Sequence, residues 1–324
     1  MLDMMNYFWM QEKIPNKLQT VYVKSMYKGK GNISELENQR GLFLGSNILK
    51  TYEKMFINRA YPVIENHGFS KFQCGGRKGH SPTDQVFALR SAIEYMQFMG
   101  KEYFVEFCDL KKAFDKMILK NVMEDLWQSN VRGRIWRNIF IINQSTDIII
   151  KTPYGETEKV NVQQILKQGS VLASTLAALH TDSSNNYVQN ELGIFYGDLH
   201  LHSLLFQDDI ARIESKQDNL NLANKVYEVF QNLNGMEFHE TKTVYISNKN
   251  NTSIKLNNET LKQKKSDKYL GDIISSDNKY EETIEDRKSS LNGIIAEIRS
   301  IMNEAQEDIE IKAAKQTHQT PVQL

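Results

Sequence analysis

The segment "SLLFQDDIARIE" (residues 203–214) places Asp208 and Asp209 between two apolar runs. Neighbouring carboxylates repel one another and resist leaving water, so acids at the tip of a strand–turn–strand need solvent or a counter-charge. Read alone, the segment is an ordinary hairpin tip, because aspartate is a common turn residue. Its meaning depends on what the rest of the chain brings beside it.

A second acid stands in a comparable place. "YFVEFC" (103–108) has the aromatic and β-branched content of a strand and is followed by Asp109. If this strand and the 203–214 hairpin are neighbours in one sheet, three carboxylates meet at one edge. Either their pKa values rise or a cation neutralises them. Oxygen-only clusters suit hard cations such as Mg²⁺. Two such ions about 3.5–4 Å apart can activate a hydroxyl and steady the leaving oxygen of a phosphoryl transfer.

The chain has 324 residues, 40% hydrophobic and 25% charged, enough for a substantial core divided among two or three lobes. Its formal charge is zero, from 40 basic and 40 acidic residues, but the distribution is uneven. Residues 10–80 hold twelve Lys/Arg against five Asp/Glu, while residues 281–312 hold nine acids against four bases. A basic first lobe suits a polyanionic partner and also suits a merely solvated surface. Two cysteines, Cys74 and Cys108, make no disulfide framework, and no histidine falls at zinc-ligand spacing with them. There is no signal-peptide pattern at the N-terminus and no apolar run of membrane-spanning length, so the expectation is an intracellular protein, in nucleus or cytoplasm, that is not secreted and has no membrane partner.

Helical spacing is expected over 46–65, from Pro82 to about Phe98 with Ser81 as N-cap, over 118–130, 133–145, 169–192 and 218–234. Strands are expected at 18–27, 101–110 and 235–247, with hairpins over 146–162 and around "KYLGDII" (268–274). From 281 onward the pattern is helical and acidic, and the tail "KQTHQTPVQL" (315–324) reads as disordered. Irregular mixing of helices and strands argues for an α+β core rather than a doubly wound sheet.

In this order occur "FCDLKKAFD", "KQGSVLASTL", "FQDD", "GMEFHETK" and "KYLG". With "KGKGNISELENQRGLFLGSNILKTYEKMFINR" and "FQCGGRKGHSPTDQVFAL" upstream, the chain resembles a reverse transcriptase of the kind encoded by non-LTR retrotransposons, over roughly residues 20–275. One "QDD" means little; the ordered set is what carries the resemblance. It implies a right-hand polymerase: fingers over 1–103, an antiparallel palm sheet backed by helices over 104–275 with a fingers insertion near 120–165, and a truncated thumb start with a disordered tail over 276–324.

The resemblance further implies RNA-directed DNA synthesis from deoxynucleoside triphosphates on an RNA template with a DNA primer, using two Mg²⁺ ions. Asp109 and Asp208 match the family's metal ligands. Asp209 matches the second of the paired acids, with its side chain expected to point away from Asp208. Lys242 matches a lysine acting on the pyrophosphate leaving group. Arg40 and Arg77 match basic positions facing template and incoming triphosphate, and Gln168 and Gly169 the loop near the nascent base pair. Phe114 matches the ring that excludes a ribose 2′-hydroxyl. Tyr269, Leu270 and Gly271 match the hairpin that grips the primer. Three positions depart from the family pattern: Gln207 stands where Ala is usual before the paired acids, Ser174 where the middle motif has Pro, and His239 where Asn is usual. These departures leave open an alternative, an impaired retroelement remnant that only binds RNA or an RNA–DNA hybrid.

Overall fold

A computed structural model describes residues 1–29, 31–111, 116–163, 166–167, 169–188 and 191–317. The chain opens with α1 (Leu2–Gln11) and the single turn α2 (Asn16–Gln19), then forms β1 (Thr20–Tyr27) and β2 (Gln39–Leu44). Next come α3 (Asn47–His67) and α4 (Pro82–Phe98), whose starts are set locally. Ser46 accepts a hydrogen bond from the Leu49 backbone N–H, and Asp84 accepts one from the Ser81 N–H at 2.7 Å, with Pro82 in the first helical position.

After β3 (Phe104–Cys108) follow α5 (Leu119–Gln128), α6 (Gly133–Gln144), β4 (Ser145–Thr152), β5 (Gly155–Glu156) and β6 (Val160–Gln163). The expected helix over 169–192 is shorter: α7 spans Ala173–Asp182 and tightens into a 3₁₀ turn at Ser183–Tyr187. That turn is the polar "SSNNY", whose short side chains bond to nearby backbone instead of extending a helix; Ser183 and Ser184 donate to the carbonyls of His180 and Thr181. Then come β7 (Ile194–Tyr196), β8 (Leu199–Leu201), β9 (Ser203–Phe206), β10 (Asp209–Glu214) and α8 (Gln217–Asn234), which Gly235 ends in the left-handed conformation at φ 67°.

The strand expected over 235–247 is confined to β11 (Val244–Ser247), because residues 239–243 turn, with the His239 carbonyl accepting from the Lys242 and Thr243 N–H groups. Three short strands, β12 (Lys255–Leu256), β13 (Glu259–Thr260) and β14 (Lys262–Gln263), precede the hairpin β15 (Ser266–Tyr269) and β16 (Asp272–Ser275). Helix α9 runs over Glu281–Thr317, so the part of the expected tail at 315–317 is helical; 318–324 lie outside the described residues. Among the described residues no helix is long and apolar enough to cross a membrane.

Two five-stranded sheets organise the molecule. In the first, β1 pairs antiparallel with β2 and parallel with β4, and β4 also pairs with β5 and β6, so residues 20–44 and 145–163 form one sheet. The second has the order β14-β11-β3-β10-β9, with β3 antiparallel to both β10 and β11. Every residue of β3 is buried. One face of this sheet, with Val105, Phe107, Ala211 and Ile246, packs on Leu89, Ile93 and Met96 of α4 and on Tyr269. The other, with Phe104, Cys108, Ile210 and Tyr245, packs on Leu220 and Tyr227 of α8. A mixed α+β core results, its central sheet backed by helices on both faces.

Candidate active site

Because β3 and β10 are antiparallel, the end of one lies beside the start of the other. Ile210 pairs with Cys108, and the register carried one step further sets Asp209 opposite Asp109. Both acids line an open cleft with Lys242, Asp267, Lys268, Tyr269 and Leu270. The Lys242 ammonium lies 3.5 Å from Asp109, with 63% and 47% of the two side chains exposed, so the pair is open to exchange partners. The Asp109 backbone is held from β11's side: its N–H donates to Thr243 Oγ1 at 3.3 Å, and its carbonyl accepts from the His239 N–H at 2.7 Å. His239 therefore acts on Asp109 through its main chain, and the departure from Asn leaves that bond in place.

Asp208 sits half-buried in the β9–β10 turn, after Gln207 at φ 60°, a left-handed conformation uncommon for a residue with a side chain. The segment 72–75 fastens this turn. The Leu205 N–H donates to the Phe72 carbonyl and the Cys74 N–H to the Leu205 carbonyl, both at 2.9 Å. Gln73, fully buried, accepts from the Gly75 and Gln207 N–H groups at 2.8 and 3.1 Å. At Gly75 a Cβ would fall 2.1 Å from the Gln207 nitrogen, so only glycine allows this approach.

Like charge gathers at this edge. Partial burial raises the Asp208 carboxyl above the usual carboxylate range, and the charge of Asp109 adds to it. For Asp209, crowding by surrounding protein and then the charges of Asp208 and Asp109 push the pKa up to about 6. The sequence reading expected the Asp209 side chain to point away from Asp208; the register sets Asp209 opposite Asp109, and both line the cleft.

The other expected residues divide. Tyr269 and Leu270 border the acids; Tyr269 is buried, donates from its hydroxyl to the Leu204 carbonyl at 3.1 Å, and packs on Phe107. Leu270 and Gly271 form the turn at φ 48° and 88°. Gly169, at φ 79°, lies where a Cβ would meet the Phe43 carbonyl oxygen at 2.9 Å, so its loop abuts β2. Arg40 is exposed on β2, paired in register with Met26. Arg77 is directed inward: it pairs with Glu65, donates to the Ser70 and Gln73 carbonyls at 2.9 and 2.7 Å, and stacks over Phe69. Its guanidinium holds the 69–77 loop together rather than facing the cleft. Phe114 and Gln168 lie outside the described residues. Sequence reasoning passed over Gln73 and Gly75, whose sign was a glutamine and a glycine in a loop rich in glycine and charge.

The donor set fits a hard divalent cation. Asp109, Asp208 and Asp209 offer oxygen alone, and their mutual repulsion is relieved by positive charge. Among the described residues no three acidic, imidazole or thiolate groups close a cage around an ion.

Residues 28–274 match the family model described as reverse transcriptase (RNA-dependent DNA polymerase). The chain belongs to the reverse transcriptase family. This family generally works with divalent metal ions. The fold is similar to solved telomerases. A telomerase from Candida tropicalis, in complex with a fragment of telomeric RNA, matches with a TM-score of 0.54 and 10% identity, over 86% of this chain and 48% of that one. The same organism's apo telomerase matches with a TM-score of 0.55 and 11% identity, over 85% and 52%. One from Candida albicans gives 0.51 and 8%, over 84% and 47%. This reverse transcriptase chain thus spans about half the length of these telomerases. No curated protein matches it.

Proposed function

We propose that this reverse transcriptase domain is an RNA-directed DNA polymerase of a non-LTR retroelement, extending a DNA primer on an RNA template with deoxynucleoside triphosphates. The observation that carries the reading is the convergence of Asp109 with the Asp208–Asp209 turn at one open sheet edge, beside Lys242. The retroelement assignment is supported by the motif order. The joining of 145–163 to the sheet of 20–44 supports counting both as fingers, with the second sheet as palm and α9 as the start of a thumb.

Asp109 and Asp208 would hold Mg²⁺, with Asp209 completing the negative field. Bound there, the ions would ease ionisation of the primer 3′-hydroxyl and shield charge gathering on the α-phosphate. Lys242, exposed and only loosely paired, would move from Asp109 toward the departing pyrophosphate and give it positive charge or a proton. The Tyr269–Gly271 turn would bear on the primer end, and Gly169 would let the base pair approach the backbone. Arg40 would meet template phosphate from the first sheet.

Purified protein given a primed RNA template and labelled deoxynucleotides should extend the primer only with Mg²⁺ or Mn²⁺. Asp208→Ala should lower the rate by about a thousandfold or more, a barrier increase of roughly 4 kcal/mol. Parent protein no faster than Asp208→Ala, while still retaining RNA, would support the impaired binding remnant instead.

A further inference from the structure

We propose that Gln207 and Ser174 act as one coupled positioning unit that sets the attitude of the Asp208–Asp209 turn; the inference rests on the polymerase reading above. The Gln207 side-chain amide donates to Ser174 Oγ at 2.7 Å across 33 residues of sequence. These are two of the three positions at which the chain departs from its family's pattern, and they depart toward one another. An alanine at 207 has no amide to donate, and a proline at 174 has no hydroxyl to accept.

Geometry makes the link consequential. Ser174 is the second residue of α7, so the bond ties the acid turn to the start of a buried helix. Gln73 makes a parallel tie: it accepts from the Gln207 backbone N–H at 3.1 Å while donating to Ala178 O and Thr181 Oγ1 of the same helix, each at 3.2 Å. The Gln207 main chain and side chain are therefore both anchored to α7, and Asp208 follows directly. Gly76 closes the arrangement, since a Cβ there would stand 3.2 Å from Ser174 Oγ. A left-handed residue that bears a side chain persists only when its surroundings over-determine it, and this pair of anchors does so. Changing either partner alone strands a polar group; changing both to the family pair removes donor and acceptor together.

The test compares the parent with Gln207→Ala, Ser174→Ala, the double alanine variant, and Gln207→Ala combined with Ser174→Pro. Mn²⁺ affinity is read by electron paramagnetic resonance on the protein without nucleic acid, and the Mg²⁺ dependence of primer extension is read separately. Each single alanine variant should weaken Mn²⁺ binding and raise the half-saturating Mg²⁺ by about three- to tenfold, as expected for one lost hydrogen bond, with the KM for primed template unchanged. The double alanine variant should add nothing to either single one. The Gln207→Ala, Ser174→Pro variant lacks the same donor and acceptor as the double alanine variant and should fall within about twofold of it. Additive effects, or Mn²⁺ affinity indifferent to both single changes, would overturn the inference. If the Ser174→Pro variant loses its thermal unfolding transition, the alanine cycle decides. A parent that extends no primer but whose Mn²⁺ affinity follows the cycle would sink the polymerase reading and keep the pair. Extension that ignores both substitutions would do the reverse.

Discussion

On β3 and β10, two sets of charges sit three residues apart and are handled in opposite ways. Glu106 faces Arg212 in register, at 2.7 Å, with 0% and 2% of the side chains exposed. Asn224 donates to Glu106 at 3.2 Å, the Arg212 guanidinium donates to Cys108 Sγ at 3.2 Å, and Tyr227 covers it at 4.2 Å. Burial raises the Glu106 carboxyl, and Arg212 is the charge that opposes this. At the strand ends, Asp109, Asp208 and Asp209 gather at an open cleft where the exposed Lys242 pairs loosely with Asp109 and Lys268 also lines the wall. Charge that is matched inside the protein serves the fold; charge left unmatched at an open edge serves a ligand that brings the opposite sign.

The sharpest way to break this contrast is at the buried pair. Arg212→Leu should cost about 3–5 kcal/mol in urea unfolding by stranding Glu106, and Glu106→Leu added to it should restore most of the loss. A loss below about 1 kcal/mol would mean that the pair is not a structural unit. The next effect concerns pH. Glu214, on the same buried face, has its carboxyl pushed by burial up to about 7 from an ordinary 4.5. The native state then holds a proton that the unfolded chain has released. Stability should be full below about pH 4.5 and fall by the order of 3 kcal/mol as pH rises through 7. Glu214→Gln should flatten that slope, and an unchanged slope would assign it elsewhere. Third, Arg77→Ala should cost about 2 kcal/mol in thermal or urea unfolding, because the Ser70 and Gln73 carbonyls and Glu65 lose their donor. A variant of parental stability with weakened triphosphate binding would return Arg77 to the cleft. The smallest effect belongs to the open edge. In metal-free buffer Asp208→Asn should change stability by less than about 1 kcal/mol, toward stabilisation, since it removes a repelling charge. A clear destabilisation would place Asp208 with the scaffold.

Local signals survived into the structure because they act over a few residues. Ser46, Ser81 with Asp84, and Gly235 mark helix ends by bonding their own neighbourhood or by adopting the one backbone conformation required there. The strand before Asp109 and the acid hairpin were legible for the same reason. Arg77 was not: a basic residue in a glycine-rich loop looks alike in sequence whether it meets Glu65 or a phosphate. Nor was Gln73, whose partners lie in α7 and at the acid turn. The helix expected to run past Asp182 failed because the short polar side chains of "SSNNY" hydrogen-bond to nearby backbone and compete with the helical ladder.

The sequence by itself determined which chemistry is possible: three carboxylates at strand ends, a lysine after a turn, and glycines where backbone must pass closely. Only the tertiary structure decided which acids share a cleft, because register fixes that, and a one-residue slip in β10 would have sent Asp209 to the other face. It also decided that Gln207 and Ser174, two apparent defects, answer each other, since a hydrogen bond depends on distance in space and not along the chain.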